Sequence, residues 1–268
     1  MPETPLKRAP HGAHVEQAPA KLTLSLRMTG ARSDGYHLID AEMVSLDLAD
    51  TLTFSDIDAD VDTDPADSLR SSAMTIEMGE SASRGLPVEA SADNLVLRAL
   101  RLVGRNARVH VVKRIPAGGG LGGGSADAAA VFRWARRTDD ADLVAASALG
   151  ADISFCIRGG RARVTGIGEV VEPLSFAAAT FTLCTPPFGV STPAVYQAFD
   201  SLGAPRSAGP NDLEAAALAV EPRLAVWRDL LADASGQTPV LAGSGSTWFV
   251  EGAYTGPNLL VARTIPAH

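Results

Sequence analysis

Apolar and polar residues alternate along the first half of the chain with the period of two that is typical of half-buried β-strands. KLTLSLRMTG at residues 21–30 shows this pattern, and the turn-forming stretch SDGYH follows it. DAEMVSLDLADTLTF at residues 40–54 contains two more strand-like runs. MTIEMG at residues 74–79 and ARVHVVKRIP at residues 107–116 predict two further strands.

Helical stretches are interspersed with these strands. DNLVLRALRLVGR at residues 93–105 predicts a helix with Asp93 or Asn94 as its N-cap. A second helix is predicted for SADAAAVFRWARR, which starts at Ser125, and a third for DADLVAASALG, which ends at Gly150 as a glycine C-cap.

The C-terminal part mixes strands and helices in a different order. RARVTGIGEVVEPL at residues 161–174 predicts a strand, a glycine turn and a strand. Three helices and two strand regions follow, in PAVYQAFDSL, NDLEAAALAV, PRLAVWRDLLADA, LAGSGSTWFVEG and NLLVARTI. Antiparallel-looking strands with segregated helices favour the α+β class and two domains. We expect a loose tail over residues 1–17, an N-terminal domain over 18–165 and a C-terminal domain over 166–268.

Charge and cysteine content narrow the function classes. The chain of 268 residues has a formal net charge of −8 and a pI near 5.1, which argues against nucleic-acid binding. The uncharged segment 173–199 contains four prolines and cannot form one spanning helix, and the N-terminus has no apolar signal region. The widely spaced Cys156 and Cys184 predict neither a disulfide nor a zinc site, and a reducing cytoplasm is the expected location. The acidic segment Asp56–Asp67 is expected to be a solvated loop.

The stretch PAGGGLGGGSADAA at residues 116–129 is the strongest candidate for chemistry. The Walker A pattern fails on it because Ser125 stands where the lysine is needed. GxGxxG can be laid on it, but a Rossmann unit needs a second parallel strand, and here one predicted helix leads to another. A glycine loop that leads directly into a helix N-terminus remains, and such a loop presents backbone N–H groups to a phosphate. Ser125 is expected to cap that helix, or to offer its hydroxyl to a phosphate or to Mg²⁺.

This stretch resembles the phosphate-binding motif of the GHMP small-molecule kinases. Further matches along the chain are PAKLTLSL, GARSDGYH, LDLADTLTF, DNLVLRA, LGADISFCIRGGRARVTGIGE, GVSTPAVYQAF, NDLE and GSGST. They cover most of residues 18–252. The resemblance implies a two-domain α+β fold, with an N-terminal domain like domain 2 of ribosomal protein S5 and a ferredoxin-like C-terminal α/β sandwich.

The resemblance also implies an activity and its ligands. The further matches are similar to the branch of the family that uses ATP to phosphorylate the 2-hydroxyl of a cytidyl-linked methylerythritol in the non-mevalonate isoprenoid route. We therefore expect ATP and Mg²⁺ as cofactors, no resident metal site, no nucleic-acid or membrane partner, and a monomer or weak homodimer. The alternatives are a GHMP kinase for another small alcohol, or a nucleotide-binding relative without turnover.

Site residues are transferred from the family motif by motif. Lys21 and Asp152 match the catalytic pair. A carboxylate can accept the proton of a poorly nucleophilic alcohol, and a neighbouring ammonium holds that carboxylate ionised. The ATP-binding positions implied by the resemblance are Gly118, Gly119, Gly120, Gly122, Gly123, Gly124, Ser125, Asn94 and Lys113. Those implied around the substrate are Thr23, Tyr36, His37, Thr192 and Tyr196, with Tyr196 suited to stacking on a pyrimidine.

The chain departs from the family pattern in three places, one of which is a short connection between the two helices after the glycine loop. Thr23 stands where the family usually has an asparagine two residues after the lysine, and threonine is shorter and β-branched. The C-terminal part after WFVEG is also abbreviated, with little room for the helix that the family places there.

Overall fold

The computed structural model of the protein describes residues 13–55, 72–79, 81–82 and 85–268, and its strands form two sheets. The acidic segment Asp56–Asp67 and residues 1–12 of the predicted tail lie outside the described residues. The larger sheet contains β1 His14–Ala31, β2 His37–Ser55, β3 Ala73–Met78, β4 Arg108–Lys113, β5 Arg161–Gly166 and β6 Val170–Pro173. The smaller sheet contains β7 Thr180–Cys184, β8 Val240–Leu241, β9 Trp248–Glu251 and β10 Leu259–Arg263.

Strand β2 organises the larger sheet because it is long enough to pair with three neighbours. The strand order is β3-β4-β2-β5-β6, and β1 runs antiparallel to β2. Different parts of β2 pair with β4 and β5, through Thr51–Ser55 and Ile39–Val44 respectively. Only β3 and β4 are parallel to each other within the described sheets. The smaller sheet has the order β10-β7-β9-β8 and is antiparallel.

Seven α-helices of four residues or more are described. They are α1 Leu95–Val103, α2 Gly123–Trp134, α3 Asp140–Ser147, α4 Ile153–Arg158, α5 Thr192–Ser201, α6 Glu214–Val220 and α7 Leu224–Ser235. The Asn94 side chain caps α1 by accepting from the amide of Val96, as the sequence predicted. No helix within the described ranges is long and apolar enough to cross a membrane.

The glycine-loop helix α2 lies at the centre of the larger core. Its alanines at positions 126 and 128–130 are buried, and their small side chains let the helix approach β1, α1 and α4 closely. Trp134 at its C-terminal end stacks on Phe54 of β2, with ring centroids 4.7 Å apart and an interplanar angle of 4°. This stacking fixes the C-terminal end of the helix against the sheet. The N-terminal end of the helix follows directly on the glycine loop.

The α+β class is confirmed, but helix α4 was not predicted, and the two strand-like runs predicted within residues 40–54 form the one strand β2. Several predicted extents are also corrected. The loose tail predicted over 1–17 is too long, because residues 14–17 pair with β2 as the start of β1. The boundary predicted at 165/166 falls inside β5, and β6 still belongs to the larger sheet, so the chain passes between the sheets over residues 174–179.

Two helix ends also differ from the prediction. Helix α2 begins at Gly123, two residues before Ser125. Helix α3 has Ala148 as its C-cap in place of Gly150, because α4 begins soon afterwards at Ile153 and leaves room only for a short turn.

Candidate active site

A cavity of about 790 Å³ opens between the glycine loop, the strands β1 and β2 with their connecting turn, and helix α5. It brings together side chains that are far apart in the sequence. Of the residues predicted for the site, it is lined by Lys21, Thr23, Tyr36, His37, Gly118, Gly120, Gly122, Gly123, Gly124, Ser125, Asp152, Thr192 and Tyr196. Gly119, Asn94 and Lys113 do not line it.

Lys21 and Asp152 form an ion pair inside this cavity. The distance from Lys21 Nζ to Asp152 Oδ2 is 3.2 Å, and Lys21 Nζ also donates to Thr23 Oγ1 at 3.1 Å. Lys21 is buried, whereas about a third of the Asp152 side chain is exposed. An ammonium has three N–H donors, so this arrangement leaves one for a ligand in the cavity.

The Asp152 carboxylate makes no hydrogen bond to the helix that begins beside it. It stands at the N-cap position of α4, but its side chain makes no capping hydrogen bond. An aspartate in that position usually accepts from the amides of the first turn. Here the carboxylate is directed to the Lys21 ammonium instead, and it keeps an exposed edge with which it can accept a proton.

The glycine loop uses left-handed backbone at alternate positions, Gly118, Gly120 and Gly122. A methyl group on Gly120 would overlap the carbonyl oxygen of Gly245, and one on Gly122 would lie 2.7 Å from Lys21 Cγ. These two glycines are therefore required both by their φ angles and by close packing. Such alternation directs successive N–H groups toward one concave side, which is the geometry of an anion-binding loop.

The loop is held from two sides. The Lys21 amide donates to the carbonyl oxygen of Leu121 at 3.0 Å, which fixes the loop to β1. On the other side, the Thr247 amide donates to the carbonyl oxygen of Gly119 at 3.1 Å. Gly119 is buried in this contact, which explains why it does not line the cavity.

The N-terminus of α2 has no side-chain cap. Its N-cap residue is Gly122, and Ser125 lies within the first turn without capping the helix, so of its two predicted roles the capping one is wrong. Because no side chain occupies the first amide groups, they and the positive end of the helix dipole face the loop. Ser125 lines the cavity beside them.

Aromatic side chains form the opposite end of the cavity. The rings of His37 and Tyr196 pack with centroids 4.9 Å apart and an interplanar angle of 38°. His37 Nε2 lies 2.8 Å from Asp200 Oδ1. Burial, with a smaller contribution from the charge of Asp152, raises the pKa of Tyr196 to about 12, so its hydroxyl stays protonated.

The remaining predicted substrate residues lie around this aromatic end. Tyr36 is exposed in the turn between β1 and β2, with the Arg32 guanidinium 6.0 Å from its ring centroid. Thr192 Oγ1 shares a 2.8 Å hydrogen bond with Ser244 Oγ, which links α5 to the loop before β9.

The Asn94 side chain makes hydrogen bonds at the start of α1. Its Oδ1 accepts from Val96, and its Nδ2 donates to the carbonyl oxygen of Glu89 at 3.0 Å. The adjacent Leu95 lines the cavity in its place. The Asn94 side chain therefore caps the start of α1, and its predicted contact with adenine stays a prediction.

Lys113 belongs to a buried charge cluster with Asp50 and Asp127. Its ammonium contacts Asp50 and lies 2.6 Å from Asp127 Oδ2, and all three side chains are almost completely buried. Burial alone would lower the pKa of Lys113, but the attraction of Asp127 and Asp50 outweighs it and the pKa is raised. Lys113 is therefore a charged residue under the glycine loop, not a cavity residue. The predicted contact of Lys113 with adenine stays a prediction.

This cluster connects the two ends of the glycine loop. Asp50 accepts from the amides of Arg114 and Ile115, where β4 passes into the loop. Asp127 lies in the second turn of α2, after the loop, and its Oδ1 has no hydrogen-bond partner within the described part of the chain. A charge cluster that spans entry and exit fixes the shape of the loop between them.

Several cavity residues were not predicted as site residues from the sequence. They are Leu26, Gly35, Ile39, Met43, Leu95, Ala151, Ile167, Pro193, Gln197, Asp200, Gly243 and Ser244. The motif GSGST at residues 243–247 could have indicated a site residue from the sequence, because its alternate glycines resemble those of the loop at residues 118–124. Asp200 carried none, since one aspartate near the end of a helix is ordinary.

Comparisons with known proteins agree with this geometry. The sequence profile of the GHMP kinases N terminal domain matches residues 94–160. A 4-diphosphocytidyl-2-C-methyl-D-erythritol kinase of Paracoccus denitrificans is 37% identical over 253 residues, covering 87% of this chain and 85% of that protein. One from Cereibacter sphaeroides is 39% identical over 259 residues, covering 87% of each.

Solved structures extend the comparison to the fold. A crystal structure of 4-(cytidine 5′-diphospho)-2C-methyl-D-erythritol kinase matches with a TM-score of 0.66 and 27% identity, covering 93% of this chain and 98% of that one. A homoserine kinase from Cytophaga hutchinsonii matches with a TM-score of 0.56 at 15% identity, covering 98% of both chains. The second likeness concerns the fold alone.

Proposed function

Because the chain belongs to the 4-diphosphocytidyl-2-C-methyl-D-erythritol kinases within the GHMP kinase family, we propose that it transfers the γ-phosphoryl group of ATP to the 2-hydroxyl of that cytidyl-linked methylerythritol. The observation that carries the proposal is the Lys21–Asp152 pair in the same cavity as the glycine loop. Transfer of a phosphoryl group to an alcohol needs a base and a phosphate-binding loop in the same cavity.

Asp152 is the proposed general base. As the substrate oxygen bonds to the γ-phosphorus and the bond to the bridging oxygen of ADP breaks, the hydroxyl proton passes to Asp152. Lys21 holds the carboxylate in place through their 3.2 Å contact. Positioned base catalysis of this kind contributes about 10²- to 10⁴-fold in rate.

Lys21 and the glycine loop are proposed to stabilise the transferring phosphoryl group. Thr23 and Asp152 take two directions of the ammonium, and the remaining N–H can donate to a phosphoryl oxygen. The amides of the loop and of the uncapped start of α2 supply further donors. Preorganised donors aimed at developing charge commonly provide the largest part of such catalysis.

Thr23 has a defined place in this arrangement although the family usually has asparagine there. Its hydroxyl accepts from Lys21 at 3.1 Å and keeps its own proton to donate. We propose that Thr23 orients Lys21 and reaches the acceptor alcohol less directly than a longer amide would.

The residues present fit Mg²⁺ delivered with ATP. The described residues contain no group of three or more His, Cys, Asp or Glu that could hold a metal by themselves. Mg²⁺ in kinases typically keeps several waters and is held by phosphates with few protein ligands, and when bound it neutralises phosphate charge. The Ser125 hydroxyl, beside the loop, is the proposed protein ligand.

The aromatic end is proposed to hold the cytidyl group. Tyr196 and His37 offer two rings packed at a tilt, and the exposed Tyr36 borders the same space. We further propose a cytoplasmic protein that acts as a monomer or weak homodimer without nucleic-acid or membrane partners. Its two cysteines are free and buried, in keeping with a reducing compartment.

A coupled ADP-release assay with Mg-ATP tests the proposal. The expected result is turnover with the cytidyl-linked methylerythritol, and little with homoserine or with the methylerythritol phosphate that lacks the cytidyl group. Phosphorus NMR of the product should show a new phosphomonoester. ATP binding without turnover would indicate a nucleotide-binding relative, and turnover only with another alcohol would indicate a different GHMP kinase.

A further inference from the structure

Asn211 is a buried amide that contacts elements of both sheets. Its Nδ2 donates to the carbonyl oxygens of Leu241 at 2.8 Å and Gly243 at 2.7 Å, and its Oδ1 accepts from the amide of Leu213 at 2.9 Å. Leu241 ends β8 of the smaller sheet, and Gly243 belongs to the loop that follows. A reversed amide would set its oxygen against two carbonyl oxygens, so these contacts fix the orientation of the side chain.

The backbone around Asn211 is attached to β1 of the larger sheet. The Leu26 amide donates to the carbonyl oxygen of Pro210, and the Asp212 amide donates to the carbonyl oxygen of Leu26, both at 2.9 Å. The buried Asp212 carboxylate also accepts from the Met28 amide at 3.0 Å. Asn211 is therefore held in a fixed register against the strand that carries the lysine and the threonine of the candidate site.

The loop residue that Asn211 holds lies beside the Lys21 ammonium. Gly243 lines the large cavity and has a left-handed φ of 63°. A methyl group on it would lie 3.5 Å from Lys21 Nζ and 3.8 Å from Thr23 Oγ1, so its backbone closes that side of the Lys21–Thr23 contact. Lys21 Nζ already donates to Thr23 and pairs with Asp152. These contacts leave the open cavity as the direction for its remaining N–H.

One asparagine thus connects the strand that carries Lys21 with the loop that lies beside its ammonium. We propose that Asn211 is a positioning residue for phosphoryl transfer: it holds Gly243 against Lys21 and thereby keeps the free N–H of Lys21 aimed at the transferring group. This inference rests on the proposed function, because it takes Lys21 to stabilise the γ-phosphoryl group. It adds a residue outside the cavity lining on which the rate of the chemical step depends.

Steady-state kinetics of Asn211→Ala test the proposal. The variant lacks both donors to the loop, so kcat should fall about 10- to 100-fold, the size of effect that a misplacement of about 1 Å can cause. The KM for ATP should stay within about threefold, since the backbone hydrogen bonds that join Lys21 to Leu121 and Thr247 to Gly119 do not involve Asn211.

Thr182→Ala is the matched control for loss of a buried polar side chain. The buried Thr182 hydroxyl also makes two hydrogen bonds in the smaller sheet, donating to the carbonyl oxygen of Gly252 at 2.8 Å and accepting from the Tyr254 amide at 2.9 Å. Thr182 does not line the cavity. Its substitution should lower the Tm while kcat stays within about twofold.

Asn211→Asp separates the contact with the loop from the contact at the start of α6. The carboxyl group keeps an oxygen for the Leu213 amide, but it cannot donate to both Leu241 and Gly243. We expect kcat to remain at least about tenfold below that of the unaltered protein. A kcat equal to that of the unaltered protein would show that Asn211 serves only the start of α6, and would overturn the proposal.

A double-substitution cycle tests whether the effect passes through Lys21. In a Lys21→Ala background, Asn211→Ala should change kcat by less than about twofold, because the group that it positions is absent. NMR of the nitrogen-15-labelled lysine ammonium groups adds a readout without turnover. The Lys21 signal, identified by its loss in Lys21→Ala, should shift or broaden in both Asn211 variants and stay unchanged in Thr182→Ala.

The proposal is overturned if Asn211→Ala keeps its kcat, if its loss of kcat persists in the Lys21→Ala background, or if the Lys21 signal is unchanged in the Asn211 variants. An equal loss of kcat in Thr182→Ala also overturns it, because the effect would then be one of general stability. If Asn211→Ala does not fold, Asn211→Asp supplies both comparisons. Failure of the proposed kinase activity is a separate result, since it is read from ADP release by the unaltered protein and not from the Lys21 signal.

Discussion

Different parts of the protein form the two ends of the cavity, mainly backbone at one end and side chains at the other. The phosphate end presents backbone to the cavity, through alternating left-handed glycines and an uncapped helix start, and a buried cluster of charged side chains lies behind them. The nucleoside end consists of side chains, with His37, Tyr196 and Asp200 meeting across two elements. Backbone amides recognise the charge of a phosphate, which many ligands share, whereas side chains distinguish one base from another. Substitutions at the phosphate end are therefore expected to change catalysis and ATP binding, and substitutions at the nucleoside end to change the choice of substrate.

The largest expected effect lies between the two ends, at Asp152. Asp152→Asn should lower kcat by about 10²- to 10⁴-fold, because the amide cannot accept the substrate proton. The KM for ATP should remain within about threefold, since the glycine loop is unchanged. Steady-state kinetics with both substrates measure this, and Asp229→Asn provides a control for loss of an exposed aspartate. An unchanged kcat would remove Asp152 from the role of base.

The next largest effect is expected at the phosphate end. Gly120→Ala combines a left-handed φ of 74° with overlap against Gly245, and should lower the free energy of unfolding by roughly 2–4 kcal/mol. The KM for ATP should rise at least about tenfold because the loop must open to admit the methyl group.

Gly104→Ala is the matched control for that change. Gly104 is also left-handed, with a φ of 67°, but an added methyl group there meets nothing within 4 Å. It should lose only about 1–2 kcal/mol of stability and leave the KM for ATP unchanged. An equal rise of the KM for ATP in the two variants would contradict the proposal that the glycine loop binds the phosphates of ATP.

A smaller effect is expected at the nucleoside end. Tyr196→Ala should raise the KM for the cytidyl substrate by roughly 5- to 150-fold, the range given by about 1–3 kcal/mol of base stacking. Tyr196→Phe keeps the ring and should stay within about threefold. The KM for ATP should change little in either variant. A rise in both KM values would show that Tyr196 supports the whole cavity and not the base.

The contrast between the ends also explains what the sequence could predict. The glycine loop is contiguous, so its spacing and its place before a helix indicated a phosphate site from local physics alone. Lys21 and Asp152 are 131 positions apart, and only the resemblance to a family brought them together. The alternation of apolar and polar residues predicted β1 and β4 of the larger sheet, and in β4 buried positions do alternate with more exposed ones.

Other features depended on tertiary contacts that no local pattern carries. Lys113 ends a predicted strand, and nothing in ARVHVVK shows that Asp50 and Asp127 surround its ammonium. Asp200 looked like an ordinary residue of a helix until its contact with His37 was seen. The extent of β1 was missed for a similar reason, since residues 14–17 become a strand only through pairing with β2.

The smallest expected effect concerns the charge cluster behind the phosphate end. Burial raises the pKa of Asp127 to about 7 against the opposing attraction of Lys113, from an ordinary value of 3.8. The folded protein therefore holds a proton that the unfolded chain releases between about pH 4 and pH 7. Stability from this group is full below that window and is lost as the pH rises through it, because the unfolded state binds fewer protons.

Asp127→Asn cannot titrate and isolates this contribution. The Tm of the unaltered protein minus that of Asp127→Asn should fall between pH 5 and pH 7.5 and then level off. Asp142→Asn is the matched control: burial would raise the pKa of Asp142, but hydrogen bonds from Arg137 and the Asp139 amide outweigh it and lower that pKa. Its Tm difference should stay flat over the same range. A flat or rising difference for Asp127 would mean that the cluster holds both carboxylates ionised, and that the glycine loop is fixed by a net negative charge behind it.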